Sequence, residues 1–166
     1  MKKIAVIMGS SSDLPVVRKA LDTLKEYDVP FEVHVYSAHR TPDQAKAFAA
    51  AARDNGFGVL IAAAGKAAHL AGALAAVSTL PVIGIPVQSS ALDGMDALLS
   101  TVQMPSGIPV AAVAIDGAKN AALLAIEILS VSEPALAEKL SEKREEAAQS
   151  VLRQDAELAA EFNRMK

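Results

Sequence analysis

The 166-residue chain has no cysteine, which excludes disulfides, thiolate zinc sites, iron–sulfur clusters and thiol nucleophiles, and is compatible with a reducing compartment. It has only three histidines as candidate transition-metal ligands. It also lacks a basic excess: 16 Lys and Arg against 19 Asp and Glu leave a formal charge of -3, so no positive field is available to hold nucleic acid. Nowhere do about 18 uncharged apolar residues run together, and the apolar run after Met1-Lys2-Lys3 is too short for a signal peptide. We therefore expect a soluble, cytoplasmic protein with no membrane partner. The sequence carries neither a Walker loop nor a G-x-G-x-x-G fingerprint, which argues against ATP hydrolysis and against NAD.

Of the residues that are present, 52% are hydrophobic, enough for one domain with a substantial core. Short apolar runs at 4–8, 31–36, 59–64, 82–87 and 110–115 alternate with helix-like segments at 14–27, 42–55, 67–77, about 93–102 and 118–129. This is the pattern of βαβ units around a parallel sheet. Four runs are apolar almost throughout, as strands covered on both faces should be. The run at 31–36 alternates, which predicts a strand near a sheet edge, with His34 exposed and without a role. Thr41-Pro42-Asp43-Gln44 predicts a helix start with a capping threonine and a glutamine that closes a capping box. Asp116, Lys119 and Asn120 read as caps of the helix that follows the last run.

From 134 to 166 the composition turns to Ala, Glu, Lys and Leu, which predicts one or two long helices without strands. Leu136, Leu140, Ala147, Val151, Leu158 and Phe162 follow one another at spacings of 4, 7, 4, 7 and 4, an 11-residue recurrence that stays on one face of a nearly straight helix. Such a stripe packs either on its own domain or on a neighbouring subunit.

In an open parallel sheet the ligand crevice lies beyond the carboxyl ends of the strands, so the residues directly after each run are the candidates. After the first comes Gly9-Ser10-Ser11-Ser12-Asp13, a hydroxyl-rich turn opening a helix. Its N–H groups suit a phosphate and Asp13 suits ribose hydroxyls, while a plain serine cap is an equally simple reading. After the second comes Ser37-Ala38-His39-Arg40-Thr41-Pro42. A guanidinium pairs with phosphate in bidentate fashion, and an imidazole gives or takes a proton near neutrality. A cation is unfavourable at a helix N-terminus, so a nearby anion explains Arg40 better than solvent does. After the third comes Ala64-Gly65-Lys66-Ala67-Ala68-His69-Leu70, whose small residues leave space for a flat ligand. His69 either lines that space or bonds a backbone carbonyl. Asp13, His39 and His69 form a poor zinc set, and we expect no metal. A Ser-His-Asp hydrolase lacks its G-x-S-x-G elbow. The proline-rich stretch 103–109 forms either a rigid loop against the ligand or a structural crossover.

Taken together, Met8-Gly9-Ser10 with Ser12-Asp13, the six-residue Ser37–Pro42 motif, Gly65 with Ala67-Ala68-His69-Leu70, and Val102-Gln103-Met104-Pro105 with Gly107-Ile108-Pro109-Val110 resemble the PurE family, class I, of N5-carboxyaminoimidazole ribonucleotide mutases. The likeness runs in order from Ile4 to about Leu129. It implies an α/β fold, a flavodoxin-like three-layer αβα sandwich with a parallel sheet and here a long C-terminal helical tail. It implies one catalytic domain, 1–166, with 134–166 as a helical extension. It further implies a homo-octamer with sites at subunit junctions, and an isomerase of de novo purine biosynthesis. That enzyme moves a carboxylate from the exocyclic nitrogen of N5-carboxyaminoimidazole ribonucleotide to ring carbon C4 through free CO2, using no metal or organic cofactor.

Carried over by position, Ser10, Ser12, Asp13 and Arg40 hold ribose and phosphate, Ser37 and the catalytic His39 sit at the reacting atoms, and Ala38 between them binds substrate. Ala64, Gly65, Lys66, Ala67, Ala68, His69 and Leu70 line the pocket. Many members have glycine at Lys66 and proline at Ala71. The lysine either adds a cation near the carboxylate or phosphate or points into solvent. Related enzymes that carboxylate aminoimidazole ribonucleotide directly with CO2 tend to carry lysine after Ser-Ala-His and to lack the second histidine. Arg40 and His69 thus favour the mutase over that alternative.

Overall fold

The computed structural model describes residues 1–163; the last three residues of the expected extension lie outside the described part. Five parallel strands, β1 (Lys3–Met8), β2 (Phe31–Val35), β3 (Phe57–Gly65), β4 (Val82–Val87) and β5 (Ala111–Ala112), form one sheet in the order β2-β1-β3-β4-β5. This is the flavodoxin-like order, with its switch point between β1 and β3. The helices are α1 (Leu14–Glu26), α2 (Pro42–Ala51), α3 (Leu70–Ala75), α4 (Met95–Val102), α5 (Ala118–Ser130) and α6 (Pro134–Phe162).

Strand alternation divides the core in two. Ile4, Val6 and Met8 of β1 pack with Val17, Ala20 and Leu24 of α1 and with Ala122, Ala125 and Ile126 of α5. Ala5 and Ile7 face Ala45 and Ala49 of α2 and Leu70 and Leu74 of α3. α4 covers the same face as α3, because a Cβ added at Gly84 of β4 would meet Thr101, Ala71 and Val110. The three layers expected from the sequence are therefore present.

Several local expectations are corrected. The fifth strand pairs regularly over two residues instead of six. The reason lies in β4: Gly84 and Pro86 both turn their backbone polar groups towards β5, accepting from Val113 and Asp116 respectively, but Pro86 has no N–H to return. Thr41 does not cap α2 with its side chain. Its hydroxyl accepts from the Ser37 N–H (2.8 Å) and donates to the Ser37 carbonyl (3.2 Å), closing the loop between β2 and α2 on itself. Asp116 binds the Gln88 N–H (2.9 Å) in place of capping α5. β2 is an edge strand as predicted, yet His34 is half-buried: it stacks on Tyr36 (5.1 Å between ring centroids) and packs against Phe48 of α2 (4.6 Å). The helix at 67–77 is shorter than expected and begins at Leu70, because Lys66 adopts a left-handed backbone (φ 54°) that breaks the chain before it.

The C-terminal segment is a single helix of 29 residues, about 43 Å long. Its first turns lie on the core, where Leu136 and Leu140 are buried. Lys139 reaches Asp28 (2.8 Å), Lys143 reaches Glu26 (3.4 Å), and Arg144 pairs with Glu127, tying the helix to α1 and α5. Farther along, Val151 (63% exposed), Leu158 (57%) and Phe162 (64%) have no cover among the described residues, which leave the predicted stripe packed on its own domain only at its beginning.

Candidate active site

Three loops at the carboxyl ends of β1, β2 and β3 enclose a cleft of about 590 Å³. These strands are adjacent in the sheet, with β1 between the other two. Side chains drawn from 9–13, 37–40 and 64–70 therefore face one another although they lie far apart in sequence. The topology predicts a crevice at this place.

The first loop is shaped by its serines. Ser10, extended at φ -152°, accepts from the Ser12 N–H (3.3 Å) and from the Ser12 hydroxyl (2.8 Å), capping a short 3₁₀ turn over Ser11–Asp13. Ser10 is therefore a cap, as the plain reading has it, and the turn also lines the cleft. Burial pushes the Asp13 carboxyl above the usual aspartate range, against the pull of hydrogen bonds from Ser10 and Ser12 and of the Arg40 charge.

The second loop is organised around Ser37. Its hydroxyl accepts from the backbone N–H groups of His39 (3.3 Å) and Arg40 (3.2 Å) and from Arg40 Nε (3.4 Å). Arg40 Nη2 donates to the Gly9 carbonyl (2.8 Å), so the guanidinium bridges the first two loops. Ala38 lies on the cleft wall.

The third loop brings the second imidazole. His39 Nε2 and His69 Nδ1 are 2.8 Å apart and the rings meet edge to face, with centroids at 5.0 Å. At that distance one ring donates and the other accepts, so a single proton lies between them. His39 Nδ1 and His69 Nε2 are the outer nitrogens of a two-ring unit. Of the two readings of His69, the one that lines the cleft describes its position. Ala64, Gly65, Lys66, Ala67 and Leu70 complete the wall, and Gly65 lets β3 and β4 approach closely: a Cβ there would stand 3.2 Å from the Val87 carbonyl of β4, tighter than an ordinary contact. Among the described residues, no three His, Asp or Glu side chains converge as a metal site requires.

Thirteen of the fourteen residues singled out from the sequence border the cleft. Ala68 does not; it is buried beneath the loop, 2% exposed. Gly9 borders the cleft without having been singled out, and the signal for it was its place at the head of the serine turn. The rigid stretch at 103–109 lies elsewhere. Met104 packs on Gly72, and Gly107, Ile108 and Pro109 line a separate groove by the amino end of β4.

A family model described as AIR carboxylase matches residues 3–150. The chain belongs to the AIR carboxylase family. Within it, a Pyrococcus abyssi protein named N5-carboxyaminoimidazole ribonucleotide mutase is 56% identical over 146 residues, 88% of this chain and 84% of that one. A Bacillus subtilis protein of the same name is 54% identical over 157 residues, 93% of this chain and 97% of that one. The crystal structure of Treponema denticola PurE superposes with a TM-score of 0.84 at 29% identity, covering 93% of this chain and 97% of the other. The three-layer architecture is thus shared with a solved PurE structure.

Proposed function

We propose that this chain is an isomerase of purine biosynthesis, interconverting N5-carboxyaminoimidazole ribonucleotide and 4-carboxy-5-aminoimidazole ribonucleotide. The observation that carries the mechanism is the His39–His69 pair at 2.8 Å, set in a cleft between a phosphate-suited turn and a wall of small residues.

The reaction breaks the bond between the exocyclic nitrogen and the carboxyl carbon, releasing CO2, and the nitrogen takes up one proton. C4 of the decarboxylated ring then attacks CO2, and the C4 proton leaves. One proton is consumed and one returned, so a single acid–base group serves both halves. His39 is that group. The adjoining His69 lets a proton accepted on one outer nitrogen be matched by one released from the other, which suits two neighbouring positions on a flat ring. Ser10, Ser12, Asp13 and Arg40 hold the ribose and phosphate, the last as a charge-assisted donor to an anion near the helix start. Ser37 and Ala38 lie beside the reacting atoms. Ala64, Gly65, Ala67 and Leu70 wall in a small apolar gas that open water would carry away, with Ala68 packed behind them.

The chain works as one catalytic domain, 1–166, with 134–166 as a helical extension. It assembles as a homo-octamer in the cytoplasm. The assembly is supported by apolar side chains exposed among the described residues: Leu92 just before α4, Met95, Leu99 and Val102 along α4, and Val151, Leu158 and Phe162 on α6.

The test is to supply N5-carboxyaminoimidazole ribonucleotide labelled in its carboxylate, in unlabelled bicarbonate. Retention of the label in 4-carboxy-5-aminoimidazole ribonucleotide is expected. Efficient product formation only from aminoimidazole ribonucleotide plus CO2 refutes the mutase and establishes the direct carboxylase.

A further inference from the structure

Four non-glycine residues adopt a left-handed backbone: Asp28, Lys66, Asp93 and Asp116. Aspartate is among the residues that visit that region most readily, because its short side chain can bond nearby backbone. Lysine has no such compensation, and at φ 54° a glycine would be free of the strain that Lys66 bears. Strain of this kind persists where the site uses it. Lys66 directly follows β3 and borders the cleft. None of the ion pairs among the described residues includes it.

The cleft thus carries two cations on different loops. Arg40 follows β2 and is bound to the Gly9 carbonyl and the Ser37 hydroxyl, on the side of the serine turn. Lys66 follows β3, on the far side of β1, three residues before His69. Asp13 is the one carboxylate among the residues lining the cleft. Two separated cations complement a ligand with two separated anionic groups. In the proposed reaction one of these, the phosphate, stays in place, while the carboxylate moves between adjacent ring atoms and is absent from the intermediate.

We propose that Lys66 is a specificity-determining residue that pairs with the migrating carboxylate, so that the cleft holds the two carboxylated nucleotides in preference to the decarboxylated one. The inference rests on the isomerase reading above. An ammonium on a flexible stem suits this task, since its three donors follow a carboxylate from nitrogen to C4 without a fixed fork geometry.

The experiment is calorimetric titration of wild type, Lys66→Met, Lys66→Gly and Lys66→Arg with 4-carboxy-5-aminoimidazole ribonucleotide and with aminoimidazole ribonucleotide. Loss of one charge-assisted contact is expected to weaken binding of the carboxylated ligand about tenfold in the Met and Gly variants. Binding of the decarboxylated ligand should stay within about twofold, and Lys66→Arg should restore most of the preference. Lys66→Gly should also melt higher than wild type, a direction that a purely structural lysine would not combine with lost selectivity. Equal losses for both ligands, or no loss for either, overturn the proposal while leaving the reaction intact. A wild-type protein that binds neither nucleotide overturns the reaction reading and this proposal with it.

Discussion

Replacing His39 by asparagine removes the one property that distinguishes imidazole here, its capacity to carry a proton, while keeping a polar side chain beside His69. The structure bounds the cost to the fold. His39 is exposed and its side chain makes one hydrogen bond, to His69 at 2.8 Å. A surface change of this kind costs about 0.5 kcal/mol or less, which moves Tm by roughly 2 °C in a chain of this size. The cost to catalysis is of another order. General acid–base catalysis contributes about 10²–10⁴-fold, or roughly 3–5 kcal/mol of barrier, so kcat should fall by that factor with little change in KM. The assay is chromatographic quantification of 4-carboxy-5-aminoimidazole ribonucleotide at saturating substrate, with Tm followed by calorimetry. Because the two rings share a proton, His39→Asn and His69→Asn should not combine additively, and the double variant should be about as slow as His39→Asn alone. Activity of His39→Asn within a fewfold of wild type, at unchanged Tm, refutes the assigned proton transfer. Multiplying losses in the double variant refute the idea of a two-ring unit.

Asp13→Asn should raise stability near neutral pH and weaken nucleotide binding. The raised carboxyl of the folded state favours folding at low pH, and this contribution is lost as pH rises through its folded value, leaving an ionised group that burial opposes. The Tm gain of the variant should therefore shrink or vanish as the medium is acidified below the ordinary aspartate range, and a gain that grows with acidification contradicts the sign. Arg40→Met should weaken substrate binding by roughly 10–100-fold, the range of a charged hydrogen bond, with Arg40→Lys intermediate; an unchanged KM contradicts the phosphate contact. Gly84→Ala tests the packing of the sheet under α3 and α4. Its Cβ would lie 2.3 Å from Thr101 Cγ2, on a buried β-branched side chain that already bonds the Ala97 carbonyl. A loss of about 1–3 kcal/mol is expected, visible as a Tm drop of several degrees, and an unchanged Tm refutes it.

What could be read without the fold was whatever lies within a short window of chain. Continuous apolar runs mark strands buried on both faces, and the alternation at 31–36 marks an edge, because covered and uncovered faces differ residue by residue. Pro42 marks the start of α2, since a proline loses nothing at a first helical position. The three loops could be named as candidates because a parallel sheet places its crevice at the carboxyl ends of its strands. The tertiary structure decided everything that depends on partners distant in sequence. Pro86 shortens β5, a strand beginning 25 residues later. Phe48 half-buries His34, which periodicity alone left in solvent. Thr41 turns its hydroxyl back to Ser37 although its spacing to Gln44 fits a capping box. The contact between His39 and His69 spans 30 positions. It exists because β1 separates β2 from β3 in the sheet, so that the loops after the two outer strands close over the loop between them. Periodicity and turn chemistry act locally, whereas that proton-sharing distance is set by strand order and register, which no local pattern encodes.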